Sequence, residues 1–249
     1  MKINASYKTD VGNYRTNNQD AVLYLTNNTG QVIGVVCDGL GGHKCGEVAS
    51  NMAVSMLKKF FQTTDFTKLK HDKQIHAWLQ EKIEIIQIEM NNFSLSNEQA
   101  LDMGTTMVII LITNNKAYLV NIGDSHIYQY SEQGLKQLTV DHNILNLYLQ
   151  KNTTKESSVD LNHTYWKALT SALGPRKPLK TDIFHLPLII PSYFLLTSDG
   201  VHDFLEEYEI VNILEKNGNI NNKVKLLIKQ ALLNVSTDNV TALLMEIKF

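Results

Sequence analysis

Apolar positions along the chain switch between a period of two and a period of three to four. Residues 3–8 alternate and predict an edge strand. Residues 21–26 (AVLYLT) and 31–37 (QVIGVVC) are apolar and β-branched, and the Asn-Asn-Thr-Gly between them is a hairpin signal. From Gly46 the period lengthens. Val48, Ala49, Met52, Met56 and Phe60 recur at helical spacing, and Trp78, Leu79, Ile83, Ile86 and Met90 repeat it in a second helix. Strands return over 105–113 (TTMVIILIT), 116–122 (KAYLVNI) and 125–131 (SHIYQYS), with an Asn-Asn turn after the first. These read as an antiparallel meander, and a Glu-Gln-Gly turn leads on to 135–139. The pattern fades over 143–168, where 152–158 is polar enough to predict a surface loop. Strands over 181–186 and 193–197, amphipathic helices over 206–216 and 222–233, and a strand over 240–248 complete the chain.

Strands dominate, and helices come in consecutive pairs rather than in the βαβα alternation of a parallel sheet. Two antiparallel sheets packed face to face, each covered outside by a helix pair, would bury the strands on both faces. That arrangement accounts for the near-continuous apolar runs. The expected class is α+β, a four-layer α/β/β/α sandwich.

Composition narrows the function. The chain has 249 residues, 43% of them apolar and 19% charged, as in ordinary soluble proteins. A formal net charge of −2 with no basic block argues against nucleic acid or an anionic membrane as partner. The polar start, MKINASYKTD, lacks the apolar core of a secretory signal. No run approaches the roughly 18 apolar residues of a membrane span. Cys37 and Cys45 form no CxxC pair, so no disulfide framework is expected and a reducing cytoplasm is the simplest setting.

The chemistry lies where strands end. Apolar runs are followed by Asp38-Gly39, by Asp124-Ser125 and by Asp199-Gly200, and the last strand is preceded by Asp238-Asn239. In antiparallel neighbours the end of one strand and the start of the next share a sheet edge, so these four carboxylates can meet at one rim. Carboxylates packed together repel one another, and burying them is costly. A divalent cation resolves the conflict, and an oxygen-only donor set suits Mg²⁺ or Mn²⁺ rather than structural zinc. A single Asp-Gly after a strand would be only a turn; the recurrence points to a site.

With those residues in hand, the chain resembles the bacterial branch of the protein phosphatase 2C (PPM) family from Gly12 to Ile247. Arg15-Thr-Asn-Asn-Gln19-Asp20 resembles the RxxNQD opening, and Asp38-Gly-Leu-Gly-Gly-His43 resembles DGMGGH. Gly104-Thr-Thr106, Gly123-Asp124-Ser125, Leu138-Thr-Val-Asp-His142, Leu169-Thr-Ser-Ala-Leu-Gly174, Leu196-Thr-Ser-Asp-Gly200 and Asp238-Asn-Val-Thr241 follow in the family's order. Each motif is weak alone; their order is specific.

The resemblance implies one phosphatase domain over 1–249 with a flap at about 143–166, a β-sandwich flanked by helix pairs. It implies Mn²⁺ or Mg²⁺, two tightly bound ions and a third, weaker one. By resemblance Asp38 bridges two metals, the Gly39 carbonyl holds the first, Asp199 and Asp238 complete the second, and Asp124 with Asp199 holds the third. Asp20 steadies metal-bound water and Arg15 grips phosphate, so the catalytic candidates are Arg15, Asp20 and Asp38. Two nearby cations lower the pKa of a bridging water, and the hydroxide attacks phosphorus in line. The implied activity is hydrolysis of phosphoserine and phosphothreonine by a monomeric enzyme that opposes a Hanks-type kinase.

There are departures. Leu40 stands where animal relatives place a proposed acid histidine, and His126 replaces the arginine usual in GDSR. His126, His142, His202, Asp203, Trp78 and Trp166 read first as structural or rim residues, Asp141 is not counted as a ligand, and His43 reads either as an acid or as a loop residue. Two competing readings are a non-catalytic phosphoprotein-binding module and a small-molecule phosphoesterase. Retention of the aspartates and Arg15 weighs against the first, and the protein-phosphatase motifs weigh against the second.

Overall fold

The structure is a computed structural model that describes residues 1–41, 45–151 and 164–249. In chain order its elements are β1 (Lys2–Asp10), β2 (Asp20–Thr26), β3 (Val32–Leu40), α1 (Gly46–Thr63) and α2 (Asp72–Ser96). Then come β4 (Gly104–Thr105), β5 (Met107–Thr113), β6 (Lys116–Ile122), β7 (His126–Ser131), β8 (Gly134–Gln137) and α3 (Ile144–Lys151). The last are β9 (Asp182–Pro187), β10 (Ser192–Thr197), α4 (Asp199–His202), α5 (Glu207–Glu215), α6 (Ile220–Leu233) and β11 (Val240–Lys248).

Two antiparallel sheets result. One has the order β1-β11-β10-β7-β8, and the other β2-β3-β5-β6-β9 with β4 beside β3. Residues 3–8 do form an edge strand, paired along β11. Asn114 and Asn115 take φ of 52° and 58°, the left-handed pair that the tight turn between β5 and β6 requires.

The layers follow from strand alternation. On β11, Leu243, Met245 and Ile247 face the other sheet, where they meet Val36, Val108 and Ile110. Val240, Ala242 and Leu244 face the opposite way, toward Ile210, Val224 and Leu227 of α5 and α6. On β3, Ile33, Val35 and Cys37 pack beneath Ala49, Leu57, Leu79 and Ile83 of α1 and α2. Three apolar layers thus separate helices, sheet, sheet and helices, as the α/β/β/α expectation required. Trp78 belongs to the first layer, edge-on to Phe66 at 4.9 Å, with its indole N–H on Thr64 Oγ1 at 3.0 Å.

The structure corrects the expectations from sequence in two places. Residues 144–151 are helical, not irregular, but α3 buries none of its residues, so its apolar spacing is a weak signal. The chain after β10 turns at once into α4, so Asp199 opens a short helix. The expected loop over 152–158 and half of the expected flap over 143–166 lie outside the described residues.

Candidate active site

Asp20, the first residue of β2, is the cross-strand partner of Asp38 on β3. Directly opposed like charges destabilise a ladder, so this register carries a cost. Asp124 follows β6, Asp199 starts α4 and Asp238 precedes β11. The geometry brings Asp38, Gly39, Asp124, Asp199, Asp238 and Arg15 into the wall of one pocket. Asp20 lies behind it, buried, its Oδ2 accepting from Ser198 Oγ at 2.7 Å.

Local backbone explains the close approach. A Cβ on Gly39 would sit 2.3 Å from the Gly46 carbonyl oxygen and 2.6 Å from that of Gln19. One on Gly200 would sit 2.0 Å from the Asn239 carbonyl oxygen. Glycine is the only residue that fits at either position, so both aspartates are followed by it for a packing reason.

Several residues that frame the site carry no role that the sequence assigns. Thr106 donates its backbone N–H to the Asp38 carbonyl at 2.8 Å, and its Oγ1 accepts the Asp38 N–H at 3.0 Å. The same hydroxyl meets Ser125 Oγ at 2.7 Å, which ties the Asp38 strand to the Asp124 loop. Asn239 Oδ1 accepts the Gln19 N–H at 2.8 Å, and its amide donates to the carbonyls of Val11 and Asn17 at 2.8 and 2.9 Å. It thereby holds the Arg15 loop beside Asp238. These residues sit inside the family's motifs, where small polar side chains look like turn formers; only the partners reveal their work.

The electrostatics are those of a crowded acidic site. Burial, then repulsion from Asp20, Asp199, Asp124 and Asp238, pushes Asp38 well above the usual carboxylate range. Burial raises Asp124 to about 7 and Asp199 to about 6, each assisted by neighbouring aspartates. Asp20 rises to about 7 through burial, although hydrogen bonds from Thr241 and Ser198 oppose the shift. Among the described residues Asp199 Oδ1 is buried with no hydrogen-bond partner. An orphaned buried oxygen among repelling carboxylates fits a divalent cation, and the all-oxygen donors suit Mg²⁺ or Mn²⁺. Among the described residues no three acidic, histidine or cysteine side chains are already closed around one point. Asp238 instead pairs with Arg15, Nη2 to Oδ2 at 2.6 Å.

The histidines take structural places. His126 contacts Tyr128 OH at 2.7 Å through Nδ1 and Asp141 Oδ1 at 2.8 Å through Nε2. Its ring stacks on His202 with centroids 3.5 Å apart, and His202 Nδ1 meets Thr197 Oγ1 at 2.9 Å. Burial drives the His202 imidazole well below its ordinary range, so it stays neutral under the stack. His142 Nε2 reaches Asp182 at 2.8 Å, while its Nδ1 accepts the Gly123 N–H at 3.3 Å and steadies the turn before Asp124. Asp203 pairs with Lys167 at 2.6 Å, and Trp166 packs against Tyr148 at 5.2 Å. Leu40 lines the pocket; His43 lies outside the described residues.

Comparison with known proteins gives the family and the fold. A family model described as Protein phosphatase 2C matches residues 13–235. The chain is 32% identical over 244 residues to Serine/threonine phosphatase stp of Listeria monocytogenes serotype 4b (strain F2365), covering 98% of this chain and 96% of that one. It superposes on the crystal structure of Serine/threonine phosphatase Stp1 from Staphylococcus aureus with a TM-score of 0.88 and 32% identity, covering 100% and 96% of the two chains. The catalytic domain of the serine threonine protein phosphatase PstP, solved in complex with 2 manganese ions, shares the fold with a TM-score of 0.83, 23% identity and 99% of each chain covered.

Proposed function

Because the chain belongs to the protein phosphatase 2C family, we propose that it removes phosphate from phosphoserine and phosphothreonine in proteins, using Mn²⁺ or Mg²⁺ held at the aspartate rim. The observation that carries the reading is the meeting of Asp38, Asp124, Asp199, Asp238 and Arg15 in one pocket, with a buried oxygen on Asp199 that has no partner among the described residues. Asp38, Asp199, Asp238 and the Gly39 carbonyl would hold two ions, and Asp124 with Asp199 a weaker third. Such ions, when bound, lower the pKa of water and offset charge on the phosphoryl oxygens.

The rest of the work falls to the chain. Arg15 is half-exposed at the pocket wall, and its planar fork can bind two phosphoryl oxygens at once. To do so it must leave Asp238, and that frees a carboxylate for an ion. Asp20, fixed at Oδ2 by Ser198, can orient the attacking water with its other oxygen. The Thr106–Ser125 and Asn239 contacts tie together the loops that carry these groups. A Ser/Thr kinase whose products this enzyme reverses is the natural partner.

Hydrolysis of a phosphothreonine peptide, measured with Mn²⁺, with chelator and in Asp38→Ala, tests the proposal. Activity should require the ion and fall by several orders of magnitude in the variant. No activity with any divalent ion would favour a phosphoprotein-binding module. Preference for small phosphate esters over the peptide would favour a small-molecule phosphoesterase.

A further inference from the structure

A second group of titratable side chains lies at the far end of the β2–β3–β5–β6–β9 sheet. Asp72 opens α2, and His76 lies one helical turn further on the same face. Tyr118 of β6 is the ladder partner of His185 on the edge strand β9. Tyr118 precedes Asp124 by six positions, about 20 Å of extended chain. The group is therefore remote from the aspartate rim.

Its contacts form a chain. Asp72 accepts from Lys116 Nζ at 2.8 and 2.7 Å and from Tyr118 OH at 2.7 Å. Asp72 Oδ2 lies 3.2 Å from His185 Nε2, and His185 Nδ1 lies 3.1 Å from His76 Nε2. The Tyr118 ring packs against both imidazoles, with centroids 5.9 and 5.4 Å away.

The chemistry fixes one tautomer. An ionised Asp72 can only accept, so His185 carries its proton on Nε2 and aims the Nδ1 lone pair at His76. A carboxylate that orients a histidine in this way is the usual outer partner of a metal-bound imidazole. Without an ion, His76 Nε2–H donates to that lone pair; a cation would take the place of this proton, with His76 then protonated on Nδ1. Two ligand nitrogens on one edge of a tetrahedral zinc site lie roughly 3.3 Å apart, given Zn–N bonds of about 2.0–2.1 Å. The separation here is 3.1 Å.

We propose that His76 Nε2 and His185 Nδ1 form a second cation site, for a borderline-soft divalent ion of the Zn²⁺ class, oriented by Asp72 and separate from the oxygen-lined rim. Imidazole nitrogens favour such ions, whereas carboxylates favour Mg²⁺ and Mn²⁺, so the two sites sort ions by donor type. Among the described residues no third acidic, histidine or cysteine ligand completes the group, so water fills the remaining positions. Lys116 already neutralises Asp72, which keeps the affinity moderate. An ion here would clip the start of α2 to the edge strand and stabilise the folded chain by linkage.

The test is a Zn²⁺ titration of the full chain in saturating Mg²⁺, followed by ring-nitrogen NMR and thermal unfolding. His76 Nε2 and His185 Nδ1 should shift together by one equivalent of Zn²⁺, and Tm should rise. His76→Gln and His185→Gln should each weaken Zn²⁺ binding by about tenfold or more, while leaving phosphopeptide turnover with Mg²⁺ unchanged. Ring signals that do not move, or an equal rise in Tm in the variants, would overturn the proposal. Should His185→Gln fold poorly, His76→Gln, on the partly exposed face of α2, gives the answer alone.

Discussion

Asp20 and Asp38 oppose each other across the β2–β3 ladder, two carboxylates at a register position where neutral or opposite charges are the stable choice. The sequence accepts this conflict where four further ionic groups, Asp124, Asp199, Asp238 and Arg15, also gather. The strain therefore belongs to function, and it can be measured.

Removing one charge should stabilise the ion-free protein. Asp38→Asn keeps the size of the side chain and relieves its repulsion by Asp20, Asp199, Asp124 and Asp238. The Tm of this variant in chelator should exceed that of the wild type, while its phosphopeptide hydrolysis with Mn²⁺ should nearly vanish. A lower Tm in chelator would show that the cluster is not strained.

The pH dependence follows from the same shifts. Asp20 and Asp124 are raised to about 7 and Asp199 to about 6 in the folded chain, against roughly 3.9 when unfolded. Between those limits the folded state binds more protons, so these groups stabilise it fully below about pH 4 and lose that contribution as pH rises through 6 to 7. The ion-free Tm should thus fall over this window beyond the change shown by Asp38→Asn. Saturating Mg²⁺ should flatten the decline, because it favours the ionised carboxylates. Thermal unfolding at a series of pH values, with and without the ion, checks both statements.

Arg15 and Asp238 form an ion pair at 2.6 Å that must open for each to take its proposed role. Arg15→Ala should raise KM for phosphopeptide and tighten Mn²⁺ binding, since Asp238 no longer has a competing partner. Arg15→Lys should not restore KM, because an ammonium lacks the planar fork. Steady-state kinetics and calorimetric titration with Mn²⁺ separate the two effects.

His126 is expected to matter for stability more than for chemistry. Truncation to Ala removes the contacts to Tyr128 and Asp141 and the stack on His202. The cost should be about 1–3 kcal/mol in urea unfolding. Phosphopeptide turnover per folded molecule should fall much less than in Asp38→Ala.

Much of the fold and of the rim is legible in the amino-acid pattern itself. The periods of 21–26, 31–37 and 240–248 give β2, β3 and β11, and the aspartates flanking strands give the rim, because alternation and strand direction are local properties. What stays hidden is non-local. The Asp20–Asp38 opposition depends on register, and the anchoring by Ser198 and Asn239 depends on loops more than 170 residues apart in the chain. Helix α3 leaves little trace because nothing in it is buried, and α4 because four residues carry too little periodicity. The Arg15–Asp238 pair is invisible for another reason: sequence assigns one residue to phosphate and the other to metal, and only geometry puts them in competition.

The central claim is that separated aspartates share a pair of ions. Anomalous diffraction at the manganese edge, from crystals grown with Mn²⁺, tests it most directly. The account predicts two peaks about 3.5–4 Å apart, with Asp38 between them, Asp199 and Asp238 on the second, and Arg15 released from Asp238. An empty pocket at saturating Mn²⁺, or ions bound without Asp38, would contradict it.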